Sequence, residues 1–173
     1  SMDPKNYDRL IEIYEALAAH GYREVGQEYL QNVLDTAKQL DAYDSGRIYY
    51  YLGEYQKAYL ALDEARDKGG ADSYLYLGRA YAATGDYNYA SSVYNNYLSK
   101  QGPNAEIYNE LGLCEMAKKE YQNALAAFQA GKQIEGNSLM QTLCFNEIVA
   151  YEYLEDYQQA EVLMNAYLQN YPD

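Results

Sequence analysis

Two arginines, Arg47 and Arg79, stand 32 residues apart, the first flanked by Tyr43 and Tyr50 and the second preceded by Tyr76. A guanidinium grips a carboxylate through parallel N–H donors, and a phenol offers rigid contact area with a hydrogen-bonding tip. Together they have the chemistry to capture a peptide that carries a carboxylate or an acidic side chain. The competing reading pairs both arginines with nearby acids such as Asp44, Asp72 and Glu110. Little else is reactive. Cys114 and Cys144 lie 30 apart with neither a C-x-x-C motif nor a neighbouring histidine, so both read as small apolar residues rather than a disulfide or zinc site. The one histidine, His20, precedes Gly21 at an expected helix end, where a solvated capping role fits. No nucleophile stands beside a base, no glycine-rich phosphate loop occurs, and the carboxylates are scattered as on solvated helix faces. The sequence therefore predicts a protein with no catalytic role, no metal and no cofactor.

Charge limits the partners. Thirteen Lys and Arg against 26 Asp and Glu give a formal charge of −13 in 173 residues. Such a chain repels nucleic acid and anionic membrane surfaces, and no basic run offsets this. No apolar stretch approaches the length of a membrane span. Leu, Ile, Val and Phe make up just under a fifth of the residues, a ratio that with this charge would suggest disorder. The 24 Tyr and 22 Ala supply the missing apolar mass, so a folded core is expected.

The elements that position these residues repeat. Tyr-x-x-Ala begins at Tyr55, Tyr87, Tyr121 and Tyr157, with spacings of 32, 34 and 36. Before each lies another apolar stripe, such as Tyr74, Leu77, Gly78 and Tyr81, whose steps of 3, 1 and 3 place all four on one helical face. Tyr87, Ala90, Tyr94 and Tyr97 form a second face. Thr84-Gly85-Asp86 breaks the helix between them, glycine ending one helix and aspartate capping the next. Gly21 and Gly53-Glu54 do likewise, and Glu155-Asp156 does so without glycine. Ser138-x-x-Gln141 reads as a capping box and Asp3-Pro4 as the opening of the first helix. Small residues (Gly46, Gly78, Gly112, Ala58, Ala90, Ala124 and Ala160) are expected at close helix crossings, with larger residues, mostly Tyr, filling the gaps. Most tyrosines, including Tyr55, Tyr87, Tyr121 and Tyr157, are expected to pack, whereas at least one ring of Tyr49-Tyr50-Tyr51 should be exposed.

These landmarks resemble the tetratricopeptide repeat: an aromatic, x-x-Leu-Gly, x-x-Tyr, then Ala-x-x-x-aromatic, closing on proline. The resemblance implies an all-α fold, a right-handed superhelical solenoid of about five antiparallel hairpins. One array is expected over 1–173, with a degenerate hairpin at 3–38, repeats at 39–70, 71–104 and 105–137, and a degenerate terminal repeat at 138–173. Trp is absent, Tyr74 or Tyr108 taking its place, and Ile148 stands where a small residue belongs.

The resemblance also implies that first helices line a concave groove that binds a peptide or protein segment, making the chain an interaction scaffold. Candidate groove residues are Tyr43, Arg47, Tyr50, Tyr76, Arg79, Asn109, Met116 and Asn146; Asp8, Glu12, Glu15, Leu75, Glu110, Leu113, Phe145, Val149 and Tyr153 face the same way. The family's clamp for chaperone tails is not matched: Tyr43, Arg47, Tyr76, Glu106 and Glu110 replace its Lys, Asn and Arg residues. An alternative class is a self-assembling module, in which Ile148, Phe145, Val162 and Met164 leave an apolar face that pairs with a second copy. A third is the sensor portion of a larger regulator or surface lipoprotein. Ser1-Met2 reads as a cloning remnant, which leaves room for an upstream signal or anchor in the natural protein. Both a cytoplasmic and an anchored extracytoplasmic location stay open.

Overall fold

The breaks between paired helices are where the sequence places them. Gly21, Gly53 and Gly85 have φ of +85°, +77° and +84°, the left-handed conformation that ends a helix without a Cβ clash. Lys119 and Glu155 adopt φ of +64° and +60° at the equivalent turns without glycine. The computed structural model describes residues 7–172. Among them are ten α-helices and no strand: α1 (Tyr7–Ala19), α2 (Arg23–Thr36), α3 (Ala42–Tyr51), α4 (Tyr55–Glu64), α5 (Ala71–Ala83), α6 (Tyr87–Gln101), α7 (Ala105–Ala117), α8 (Tyr121–Lys132), α9 (Met140–Tyr153) and α10 (Tyr157–Asn170). The expected opening at Asp3-Pro4 lies outside the described residues.

Capping differs from expectation at three helices, the first being α4, where Glu54 stands at the N-cap without a side-chain capping bond. Asp41, Asn104 and Asp156 accept hydrogen bonds from the amides of Asp44, Ile107 and Gln159, each satisfying a donor that the helix leaves open. Asp86 stands at the N-cap of α6 without a side-chain capping bond. Ser138 does not cap α9. Instead, Asn137 Oδ1 accepts from the Leu139 amide at 3.0 Å, and the helix begins one residue later than a capping box at Ser138 requires. His20 Nδ1 lies 2.8 Å from the Ala16 carbonyl at the end of α1, the solvated cap expected of it.

The chain divides after Thr84 into two compact units. In the first, α1 packs on α2, α3 on α4, and α5 on both α3 and α4. Its core gathers Leu10, Ile11, Tyr14, Leu30, Val33 and Ile48. In the second unit successive helices from α6 to α10 pack in turn, around Ala124, Leu125, Phe128, Leu143 and Ala150. The unit boundary falls inside the third expected repeat, whose helices are α5 and α6.

Small residues occupy the crossings in both units. Ala58, Ala90, Ala124 and Ala160 are buried. A Cβ on Gly46 would stand 2.6 Å from Leu62 Cγ, and one on Gly112 would stand 2.3 Å from the Phe128 ring; neither distance is sterically tolerable, so only glycine fits there unless the neighbour shifts. The larger residues opposite these two glycines are Leu62 and Phe128 rather than tyrosines. At Ile148 the unit stays closed because that side chain is itself buried, so it adds nothing to an exposed terminal face.

Candidate functional site

The first helices α1, α3 and α5 of the first unit carry three parallel stripes: Asp8-Glu12-Glu15, Tyr43-Arg47-Tyr50 and Asp72-Tyr76-Arg79. Residues spaced i, i+4, i+7 share one helix face, and direct contacts join the stripes. Arg47 Nη1 donates to Asp8 Oδ1 at 2.6 Å, linking α3 to α1. Tyr51 Oη donates to Glu15 Oε1 at 2.6 Å and lies 2.9 Å from Tyr76 Oη, linking all three helices. The Tyr50 ring meets those of Tyr51, Tyr55 and Tyr76 at centroid separations of 5.2, 5.9 and 5.7 Å. These are the edge and tilted geometries that ring quadrupoles favour.

Arg47 is the centre of this surface, and it is not an open cation. Its side chain is 7% exposed, and its second amino group donates to Asp44 Oδ1 at 2.5 Å. The Tyr43 ring covers it with 4.3 Å between the guanidinium carbon and the ring centroid. Pairing with neighbouring acids, the competing expectation, describes this residue, and the partners are Asp8 and Asp44. The two counter-ions differ: Asp44 is 16% exposed and Asp8 is 76% exposed. Arg79 is half-buried on α5 and is also engaged rather than free.

Burial sets the titration of this group. It raises the Asp44 carboxyl above its ordinary value, outweighing the hydrogen bond and charge of Arg47. Burial alone would lower the Arg47 pKa, but the hydrogen bonds to Asp44 and Asp8 outweigh it and hold the residue firmly protonated. Tyr43 is pushed up to about 12, by burial first, with Arg47 pulling the other way. Burial raises Tyr51 and Tyr76 as well. The hydroxyls of Tyr43, Tyr51 and Tyr76 are therefore neutral donors and acceptors near pH 7.

The other sequence-predicted residues separate by position. Tyr43, Tyr50 and Tyr76 are half-buried. Leu75 is buried in the core and leaves the list of groove candidates. In the second unit Asn146 Nδ2 donates to Asn109 Oδ1 at 2.8 Å, tying α9 to α7, with Asn109 buried. Met116 packs against the Ala124–Phe128 core cluster, so much of its surface is committed to packing. Tyr157 is exposed rather than packed. None of Tyr49, Tyr50 and Tyr51 is fully exposed: each ring is half-covered, Tyr49 by Lys57 and the other two by the aromatic cluster.

Three polar residues were missed. Tyr51 joins the stripes although it lies one residue off the predicted face. Glu115 and Glu147 are buried where scattered surface carboxylates were expected. Ser91 Oγ donates to Glu115 Oε1 at 2.8 Å, and Lys118 Nζ to both its oxygens at 3.0 Å. Glu147 accepts from Gln129 at 3.0 Å and from Lys132. The Lys118 spacing of three was a legible signal for Glu115; nothing local signals Glu147. Cys114 is a buried thiol whose pKa burial raises to about 12, and Cys144 is half-buried. Among the described residues no group of three His, Cys, Asp or Glu could hold a metal ion, and no helix is long and apolar enough to cross a membrane.

A repeated antiparallel helix pair, closed by small residues and presenting first-helix stripes, defines a helical-repeat protein. The tetratricopeptide repeat model matches residues 43–88 and 77–137, more than half of the chain. The protein belongs to the tetratricopeptide repeat family, and its fold class is the all-α repeat solenoid. Solved structures agree. The chain is similar to MamA (residue 41 to the end) from Desulfovibrio magneticus RS-1, with 17% identity, TM-score 0.67, and 98% of this chain and 96% of that one covered. A Podosopora anserina chain of nearly identical TPR-like repeats gives 17% identity, TM-score 0.71 and complete coverage of both. The Cut9-Hcn1 hetero-tetramer of the APC/C gives 20% identity and TM-score 0.62 over 94% of this chain and 36% of that one. No curated protein matches the sequence.

Proposed function

We propose that the protein is a non-catalytic interaction scaffold, with repeats near 39–70, 71–104 and 105–137, that binds a peptide or protein segment on the first-helix surface of its first unit. The observation that carries this reading is the joining of three stripes into one surface by the Arg47–Asp8, Tyr51–Glu15 and Tyr51–Tyr76 contacts. Tyr43, Arg47, Tyr50, Tyr76 and Arg79 supply it, with Asn109, Met116 and Asn146 as the corresponding candidates of the second unit. Half-buried tyrosines held by their neighbours lose little entropy on binding, which favours them as contact residues. The anchoring group on the partner is a carboxylate or acidic side chain. It takes the place of the exposed Asp8 on Arg47 Nη1, while the more buried Asp44 stays as the permanent counter-ion.

Affinity capture from a native extract tests this with Tyr76→Ala/Arg79→Glu beside the unchanged chain. Arg47 is left alone because its removal would strand Asp44. The expected result is about a ten-fold or greater loss of the retained partner with an unchanged circular dichroism spectrum. Identical partner profiles contradict the reading. A second reading, self-assembly through the α9–α10 hairpin, has the exposure of Phe145 and Val162 in its favour.

A further inference from the structure

We propose that the outer stripe of α10, with the adjoining part of α9, is a docking surface for a cationic amphipathic helix of another protein. The repeat itself shows what this surface is shaped to receive. In α8, Ala124, Leu125, Ala127, Phe128 and Gly131 are buried. Helix α9 covers them, so closely that a Cβ on Gly131 would stand 3.1 Å from both methyls of Leu143. Lys132, at the end of α8, pairs with Glu147 of the covering helix.

Helix α10 stands one repeat further on, at the spacing of 36 between Tyr121 and Tyr157. That offset puts Ala160, Glu161, Met164, Tyr167 and Leu168 in the places of Ala124, Leu125, Phe128, Gly131 and Lys132. Only Ala160 of α10 is buried. Tyr157, Glu161, Met164 and Leu168 step by 4, 3 and 4 and so form one stripe. Leu168 is 58% exposed, and Phe145 of α9 is 45% exposed. The floor between them is ordered: the Tyr167 ring lies 5.8 Å from that of Phe145 and 5.1 Å from that of Tyr171, and its hydroxyl accepts from Gln141.

Two exchanges against the α8 pattern fix the chemistry of the occupant. Leu168 replaces Lys132, so the covering helix must be apolar where α9 presents Glu147. Glu161 replaces Leu125, so it must bring a cation where α9 meets an apolar residue. The charge of the hairpin agrees: α9 and α10 carry no Lys, Arg or His, whereas Glu152, Glu155, Asp156 and Glu161 are exposed on these helices and the turn between them. A second copy of this surface would set carboxylates against carboxylates, which costs affinity. A lysine-rich helix gains from both the apolar stripe and the field.

The probe is a fluorescein-labelled synthetic helix of about 16 residues, roughly 24 Å long, with a leucine stripe flanked by lysines. Its control keeps the leucines and exchanges every lysine for glutamate. Anisotropy is read with the unchanged chain and with Phe145→Ser/Leu168→Ser, which leaves the charge untouched and alters only exposed side chains. The expected result is binding of the lysine peptide, weakened about ten-fold or more by the glutamate exchange, by the serine pair, and by raising salt from about 0.05 to about 0.5 M. No binding of the lysine peptide overturns the proposal. So does equal affinity for the serine pair, which would leave only general attraction to an acidic chain. Light scattering that shows a dimer dissolved by Leu168→Ser assigns the surface to a second copy and also overturns it.

Discussion

Replacing Arg47 with leucine lowers the stability of the chain by about 3–5 kcal/mol, read as a fall in the urea midpoint. The loss comes from Asp44, which is 16% exposed and keeps no counter-ion once the guanidinium is gone. Asp8 contributes little, being largely solvated already. The double substitution Arg47→Leu/Asp44→Leu recovers most of the loss, because an apolar pair of similar volume needs no compensating charge. Acid should act in the same sense. Burial raises the folded-state pKa of Asp44 above its unfolded value near 3.8, so the folded state binds this proton more tightly. Stability from this group is then present below the unfolded pKa and is lost as pH rises through the folded one. Arg47 offsets part of that loss in the unchanged chain. Without it the deficit should be smallest near pH about 4 and largest near pH about 7. An equal deficit at both pH values would show that Asp44 is not the group left stranded.

Phe128→Ala should cost a similar amount, about 3–5 kcal/mol. Phe128 is fully buried among Ala124, Leu125, Leu143 and Ala150, and the ring edge fills the space that Gly112 leaves by having no Cβ. The two positions are therefore coupled. Gly112→Ala alone overpacks the crossing by about 1–3 kcal/mol, but in the Phe128→Ala background the added methyl enters a cavity and its cost disappears. The four urea midpoints form a double-mutant cycle. Additive effects would mean that the α7–α8 crossing does not bring these residues together.

The pairing of helices could be read from the sequence because it rests on local chemistry. A turn needs a left-handed residue and a crossing needs a small one, and Gly53, Gly85, Ala58 and Ala90 announce both. Turns made at Lys119 and Glu155 break that local rule; the first had only its repeat position to mark it. The surface was half legible. Tyr43, Tyr50 and Tyr76 follow from helical spacing, whereas the state of Arg47 depends on Asp8, 39 residues earlier. For the same reason the burial of Glu115 was hidden in part, since Lys118 gave a local signal for it, and that of Glu147 was hidden altogether. Their stabilising partners Ser91 and Gln129 lie 24 and 18 residues away, on helices whose contact only the folded chain defines. Opposite Gly46 and Gly112 stand Leu62 and Phe128, two of the larger residues that were expected to be mostly tyrosine.

The surface formed by α1, α3 and α5 is the centre of this account, and a photo-crosslinker tests it most directly. p-Benzoylphenylalanine in place of Tyr76 should yield a covalent adduct with the captured partner on irradiation. The same residue in place of Tyr89, an exposed ring on α6, should yield none. Adducts from position 89 with none from position 76 would place recruitment elsewhere and contradict the account.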